Sequence, residues 1–431
     1  MIWKFLKPAT EPPAITPQTA SAAQPTLPLA LLRKLVPVGD LPENELYALK
    51  IERRSFNPGQ IIFNRGENAD ALIYLYSGSL FLEATNGNGY SVDDATFKAC
   101  YPLSTHTEHQ FSAIAKSAAE IIYLPLSVLQ RSTQAAFVNN PLINPADAPA
   151  ELADSTFFNG FCAAFRRDEL QVPSLPDIAI RLRRALQQDI SIADAAKIIA
   201  LDPVIASKLI QVVNSPLYRT VLPIAKCHDA INRLGLKTTQ NLVTSISLHN
   251  LFRSRDKRLN NRVQQLWKQS IQIASLSHTL ASLTHTINPD EALLAGLTYN
   301  IGTLPIITYA ETLADTEYTD QELDGTISAL QSLVGVFILK KWHFPEHLQI
   351  LPRQASHWYH DESPALQLSD IVLLARFHAQ FGTAQNQKLP PLNTLPAFLK
   401  LGDNALTPDM SLQALHEAKQ QIAEAISFFR T

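Results

Sequence analysis

Four histidines and an aspartate gather in one stretch of this sequence: His343, His347, His357, His360 and Asp361. His357 and His360 are three residues apart, a spacing that on a helix puts both imidazoles on one face, where they could chelate a metal. Trp358 and Tyr359 lie between them, and the expectation is a wet aromatic surface rather than a metal centre. A second polar stretch, 95–110, carries Lys98, His106, Glu108 and His109. Lys98, His106 and His109 are the candidate ligand-binding residues, groups that could meet an anion; the competing reading makes them plain surface. The most basic run, Arg253, Arg255, Lys257, Arg258 and Arg262, is interrupted by Asp256 and has no aromatic ladder, so it reads as a solvated interhelical loop and not as a phosphate-binding stripe.

The whole chain sets no strong field around these groups. Its 431 residues hold 36 Lys and Arg against 39 Asp and Glu, so neither nucleic acid nor an anionic membrane is an expected partner on charge alone. Cys100, Cys162 and Cys227 are far apart and form no CxxC pair, which argues against a disulfide framework or zinc knuckle and fits a reducing cytoplasm. No uninterrupted apolar run reaches the ~18 residues that a membrane span needs, so no transmembrane segment is expected.

These residues must be positioned by two kinds of element. Residues 1–28 contain Pro12, Pro13, Pro17, Pro25 and Pro28 and read as a tether. Short apolar strands are expected at 61–63, 71–76, 79–84, 112–115 and 121–124, with turns at Arg54–Gly59, Arg65–Asn68 and Ser77-Gly78 and a hairpin at Asn86–Gly89. That pattern predicts a small antiparallel barrel or roll. A Pro/Ala/Asn stretch, 139–150, separates it from a helical remainder. There Ser191 and Asp202-Pro203 mark helix starts, Asn214 and Gly235 mark stops, and helices are expected at 173–187, 195–200, 237–252, 259–284, 290–310, 320–342 and 364–382. The pair around Leu201-Asp-Pro203 superficially matches a helix-turn-helix, but it lacks the usual turn glycine and offers mostly apolar residues, so a buried helix pair is expected.

Two resemblances then emerge. Phe56, Gly59, Ile62-Phe63, Gly66, Tyr74, Gly78 and Leu80, with the exit strand through Pro125, resemble the first half of a cyclic-nucleotide-binding domain. That family holds its cyclic phosphate with a Phe-Gly-Glu segment and an arginine. Residues 95–110 contain neither, and the arginine position falls on His109. The resemblance therefore implies a degenerate cassette. From Val172 to about Asp361 the chain resembles the HDOD family, helical relatives of HD phosphohydrolases. The carriers are Pro173–Pro176, Leu201-Asp-Pro203, Asn214, Ala230-Ile231 with Leu234-Gly235, Leu266-Trp267, Gly296-Leu297 with Ile301-Gly302, Val334-Gly335 and Trp342–Pro345.

An HD hydrolase needs histidines and an adjacent His-Asp pair to hold metals that activate water. By resemblance those positions fall here on Gln269 or Ser270, Tyr299, Asn300, Gln331 and Arg376. None is an imidazole or a carboxylate, so no catalytic residue, metal or cofactor is expected. The fold class is multidomain α and β: an antiparallel β-roll over 29–135, a linker over 136–156, an all-α HDOD-like domain over 157–385 and a helical extension over 386–431. The leading functional expectation is a non-catalytic, cytoplasmic, bacterial signalling adaptor, a pseudoenzyme with another signalling protein as partner and scope for a homo-oligomer. Two alternatives stay open: a cyclic-nucleotide or cyclic-dinucleotide sensor with a non-standard pocket, and an HD-type phosphohydrolase with atypical ligands.

Overall fold

The computed structural model describes residues 27–84, 89–105, 107–215, 218, 223–314, 316–381, 383, 388–401, 412, 415, 422 and 423. The tether, most of the expected Asn86–Gly89 hairpin turn, and His106 lie outside them. Two short helices, α1 (Leu29–Leu32) and α2 (Glu43–Tyr47), lead into seven strands. These are β1 (Glu52–Phe56), β2 (Ile61–Phe63), β3 (Ala71–Ser77), β4 (Ser79–Glu83), β5 (Gly89–Asp93), β6 (Ser112–Ala115) and β7 (Ala119–Pro125). They form two antiparallel sheets, ordered β1-β7-β3 and β2-β6-β4-β5. Alternation fixes the register: Leu80 and Leu82 of β4, Tyr90 and Val92 of β5, and Ala113 and Ala115 of β6 all point inward onto Phe63, Leu75 and Ile121. The sequence reading places a turn over Arg54–Gly59, across the second half of β1, because β1 is mostly polar. Cross-strand contacts hold it instead: Arg53 pairs with Glu120 at 2.8 Å, and the Arg54 guanidinium lies 4.5 Å from the Tyr123 ring centre.

Helix α3 (Ser127–Val138) leaves the roll and runs past the expected domain boundary at residue 135. Residues 136–156 are not a loose linker. Asn140 N–H donates to Asp147 Oδ2 at 2.8 Å, and Leu142 and Leu152 are buried in the helical core. The helical domain opens with α4 (Thr156–Arg166), capped by Ser155 and burying Phe157, Phe158 and Phe161, where the sequence reading places no helix. Then follow α5 (Asp177–Leu186), α6 (Ile192–Ala200), α7 (Pro203–Val213), α8 (Cys227–Leu234), α9 (Leu236–Leu248) and α10 (Lys257–Thr284). The expected punctuation is in place. Ser191 and Asp202 cap α6 and α7, Asn214 bonds to the backbone of Ile210 and Ile224, and Gly235 breaks α8 from α9 at φ 79°. Trp267 and Trp342 are core aromatics, and the Trp342 indole N–H donates to Pro173 O at 3.0 Å, pinning the segment ahead of α5.

The expected single helix over 290–310 is two: α11 (Pro289–Thr298) and α12 (Thr303–Ala310). The break between them carries Tyr299 and Asn300. Helix α13 (Asp320–Lys341) starts with a capping box at Thr319 and Glu322 and packs on α12. After the short α14 (Glu346–Gln349) and α15 (Leu351–Gln354), α16 (Leu368–Gln380) closes the bundle against α10 and α11. Two stretches, Pro289–Ala310 and Asp320–Lys341, have the length and hydropathy of a membrane span; in the first, 83% of the apolar window is buried in the bundle, and in the second 39%.

In the expected C-terminal helical extension, the described residues include a 3-10 turn at Leu392–Thr394, the four-residue α17 (Pro396–Leu399) and helical positions at Leu415, Ile422 and Ala423. The 388–400 segment is wedged between the two domains. On the roll side, Tyr90 hydroxyl donates to Asn393 Oδ1 (3.1 Å), Tyr101 hydroxyl to Lys388 O (2.6 Å) and Thr105 hydroxyl to Thr394 O (2.6 Å). On the helical side Tyr359 shares a hydrogen bond with Thr394, and the buried Lys400 ammonium sits 2.9 Å from Asp361 and 3.2 Å from Asp370. Burial holds the Asp370 carboxyl above its ordinary pKa even with Lys400 beside it. Lys400→Ala therefore strands a buried carboxylate, and urea unfolding is expected to show a loss of about 3 kcal/mol, with Asp370→Asn in the same chain recovering part of it.

Candidate functional site

Helices α10, α12, α13 and α16 and the 299–302 turn line a cleft of about 840 Å³, and every position at which the HD comparison expects a metal ligand lines it or adjoins it. Gln269 and Ser270 come from α10, Tyr299 and Asn300 from the α11–α12 break, Gln331 from α13 and Arg376 from α16. The break is placed by close backbone packing. A Cβ on Gly302 would stand 2.0 Å from Gln331 O and 2.4 Å from Gly335 N, and one on Gly296 would stand 2.5 Å from Ala274 Cα. The glycines of the Gly296-Leu297, Ile301-Gly302 and Val334-Gly335 pattern thus let α11 press on α10 and the 299–302 turn press on α13.

Inside the cleft the side chains form a hydroxyl–amide network. Buried Ser270 hydroxyl donates to Asn300 Oδ1 at 2.9 Å, and Thr303 hydroxyl donates to Gln331 Oε1 at 3.1 Å. Asn300 Nδ2 is buried next to the Tyr299 phenol. Burial pushes the Tyr299 phenol above its ordinary pKa, against the pull of Arg376. Arg376 lies with its guanidinium 3.9 Å from the Trp358 ring centre and donates through Nη1 to Ala355 O. Burial pulls its pKa down, and the opposing influences on it are the phenols of Tyr299 and Tyr101, not a carboxylate. At the mouth, Arg262 is paired with Asp320 and Asp324 of α13. The basic run is therefore partly spent on ion pairs, Arg258 also donating to Tyr318 hydroxyl at 2.6 Å.

These donors do not fit a divalent metal. Three amides, two hydroxyls and a guanidinium offer no anionic oxygen and no imidazole, and a cation at Arg376 repels a second cation. Among the described residues no group of three or more His, Cys, Asp or Glu side chains is arranged to hold an ion.

The histidine cluster is not a wet surface. Phe137 at the end of α3 covers it, with ring centres 5.0 Å from His357 and 5.1 Å from His360. Arg353 donates to Ala136 O and Asn139 O across the same seam. His347 instead meets Glu291 at 3.0 Å, and His343 adopts a left-handed turn at φ 55°. In the roll, His109 is buried and stacked on Phe63 at 3.9 Å between ring centres, while Lys98 places its ammonium 5.2 Å from the Tyr90 ring centre, beside the inserted C-terminal segment. Lys98 and His109 thus rest on different aromatic residues. The sequence reading missed the Trp358–Arg376 stack and the 388–400 wedge; the signal for the wedge is Leu389, Leu392, Leu395 and Ala397 running into Lys400.

Residues 172–357 match the HDOD domain family, and this part of the chain is an HDOD domain. A solved structure from Shewanella amazonensis SB2B, proposed to be a metal-dependent phosphohydrolase, is 25% identical; the alignment covers 62% of this chain and 97% of that one at a TM-score of 0.55. An uncharacterized protein of Treponema pallidum (strain Nichols) is 24% identical over 268 residues, 58% of this chain, which spans about half the length of that relative. A Geobacter metallireducens GS-15 structure assigned to cyclic-nucleotide binding aligns over 33% of this chain and 98% of its own, at 18% identity and a TM-score of 0.21.

Two outcomes follow from this geometry. Gly302→Ala is expected to lower stability by about 1–3 kcal/mol in denaturant titration, since the methyl has only backbone to displace. Burial, with Arg353, Arg376 and His360 nearby, depresses the His357 pKa to about 4. A histidine held neutral in the fold binds its proton more readily when unfolded, so stability is full above about pH 6.5 and falls as pH drops from there towards 4. In melting curves across that range, His357→Gln should have a shallower pH slope than the parent chain; an equal slope would locate the dependence on other groups.

Proposed function

We propose that this protein is a non-catalytic regulatory protein of bacterial signalling, in which an HDOD domain that has exchanged metal ligands for neutral and cationic donors is coupled to a β-roll. The observation that carries this reading is the donor set of the cleft: Ser270, Gln269, Tyr299, Asn300, Gln331 and Arg376 converge where a phosphohydrolase would need imidazoles and carboxylates. The similarity to a proposed metal-dependent phosphohydrolase gives the fold a catalytic relative. A hydrolase of this class needs an activated water, and among the described residues no three His, Cys, Asp or Glu side chains are arranged to hold the ion that would activate it.

The wedge at 388–400 supports the regulatory half of the reading. It bonds to the roll through Tyr90, Tyr101 and Thr105 and to the helical domain through Tyr359, Asp361 and Asp370. A ligand or partner that favours one placement of this segment would shift the relation of the two domains, to the extent that it binds the two states differently. The output is a protein surface offered to another signalling protein, in the cytoplasm.

The test is an assay of the purified protein with bis(p-nitrophenyl) phosphate and Mn²⁺ or Fe²⁺, alongside metal analysis of the purified chain. The expected result is no release above the blank and metal well below one equivalent. Metal-dependent turnover that Asn300→Ala abolishes would establish a hydrolase with atypical ligands. Calorimetry with cyclic AMP, cyclic GMP and cyclic di-GMP is expected to give no heat of binding at millimolar ligand; micromolar binding that Lys98→Ala weakens would make the roll a working nucleotide sensor.

A further inference from the structure

We infer that the cleft between α10, α12, α13 and α16 is a binding site for a small organic phosphate of nucleotide size, recognised through the Arg376 guanidinium. The inference rests on the proposed loss of metal chemistry from this cleft, and it names what the emptied site would bind.

Three observations converge. First, Arg376 lines the cleft and rests on a backbone carbonyl and an indole face, with no carboxylate to neutralise it. A guanidinium has five N–H donors, and only one direction is committed to Ala355, so a fork suited to a phosphate remains. A buried cation that keeps its charge without a counter-ion is costly, and an anionic ligand removes the cost. Second, the groups beside it are donors. Asn300 Nδ2 is buried next to the Tyr299 phenol while its Oδ1 is engaged by Ser270, so an amide N–H and a phenol O–H lie beside the guanidinium. Guanidinium, amide and phenol together offer more donors than a carboxylate's two oxygens need, and they match the three terminal oxygens of a phosphate monoester. Third, the cleft holds about 840 Å³, far more than inorganic phosphate fills and within the range of small-molecule sites, and its outer wall carries the exposed amides Gln269 and Gln272. Asp324, the acidic lining residue, is already paired with Arg262 and leaves the cleft without a free negative charge.

The experiment is calorimetry on the full chain in EDTA, with AMP as the probe and adenosine, inorganic phosphate and succinate as comparisons. AMP is expected to bind about tenfold or more tightly than adenosine or succinate, and the affinity should fall as salt rises. Arg376→Gln should erase the preference for AMP. Because Arg376 also holds Ala355 and Trp358, the double variant Gln269→Glu, Gln272→Glu supplies a second test on exposed residues. It should weaken AMP about fivefold or more with the melting temperature unchanged. Equal binding of AMP, adenosine and succinate, no binding at 10 mM (about 5.5 kcal/mol short of a micromolar site), or a preference that survives the double variant would each overturn the assignment. Cleavage of AMP on replacing EDTA with Mn²⁺ would overturn the non-catalytic reading while leaving the binding site standing, so the two failures are separable.

Discussion

The contact on which the rest of the helical domain depends is the approach of two backbones at Gly302. The turn after α11 lies so close to α13 that no side chain fits between them. That approach ends α11, starts α12 and holds Tyr299 and Asn300 at the same height as Gln331. Once it is made, α10 and α16 have only one way to close over the cleft, with Ser270 meeting Asn300 from one side and Arg376 lying along the other. Gly296 does the same for α10 and α11 one turn earlier. Glycine is destabilising inside helices, so its use at these places reflects geometry, with the loss offset by tight packing of the neighbouring Leu, Ile and Ala side chains.

The second organising element is the wedge at 388–400. A β-roll and a helical bundle joined only by 136–156 would share a modest polar seam, of the kind that lets domains reorient. Here the chain returns after α16 and fills the seam with Leu389, Leu392 and Leu395, while its backbone carbonyls accept from roll tyrosine and threonine hydroxyls. Phe137 and Arg353 close the other end over His357 and His360. The seam is thus apolar at its centre and hydrogen-bonded at its rim, and the histidines that draw the eye in the sequence serve it as aromatic surface.

How much of this was legible beforehand depends on whether the signal was local. Caps and stops at Ser191, Asp202, Asn214 and Gly235 act within a few residues and are visible in the sequence. The strands with clear alternation, β4 and β6, are visible for the same reason. Strand β1 was hidden because its stability comes from partners far along the chain, Glu120 and Tyr123. The break at 299–302 was hidden because the run is apolar throughout; only contact with α13 decides that it bends there. The convergence of Gln269, Ser270, Tyr299, Asn300, Gln331 and Arg376 was legible solely through the ordered HDOD pattern, since no periodicity connects residues more than a hundred positions apart. The wedge and the Trp358–Arg376 stack had no such pattern to lean on.

The exchange of groups in the cleft has a direction that mere decay would not require. Removing a metal ligand at random leaves carboxylates and imidazoles behind, and a site with leftover negative charge still attracts cations. In this cleft the acid that remains, Asp324, is matched by Arg262, and the position deepest on α16 has become a guanidinium supported by an indole and a carbonyl. On the proposed reading, the cleft thus has the opposite sign to the ligand set of a metal phosphohydrolase. A metal phosphohydrolase binds its phosphate indirectly, through cations that the protein holds with anionic side chains. A cleft that supplies the cation from its own arginine, anchored on the Ala355 carbonyl, is suited to meet the same class of oxyanion directly.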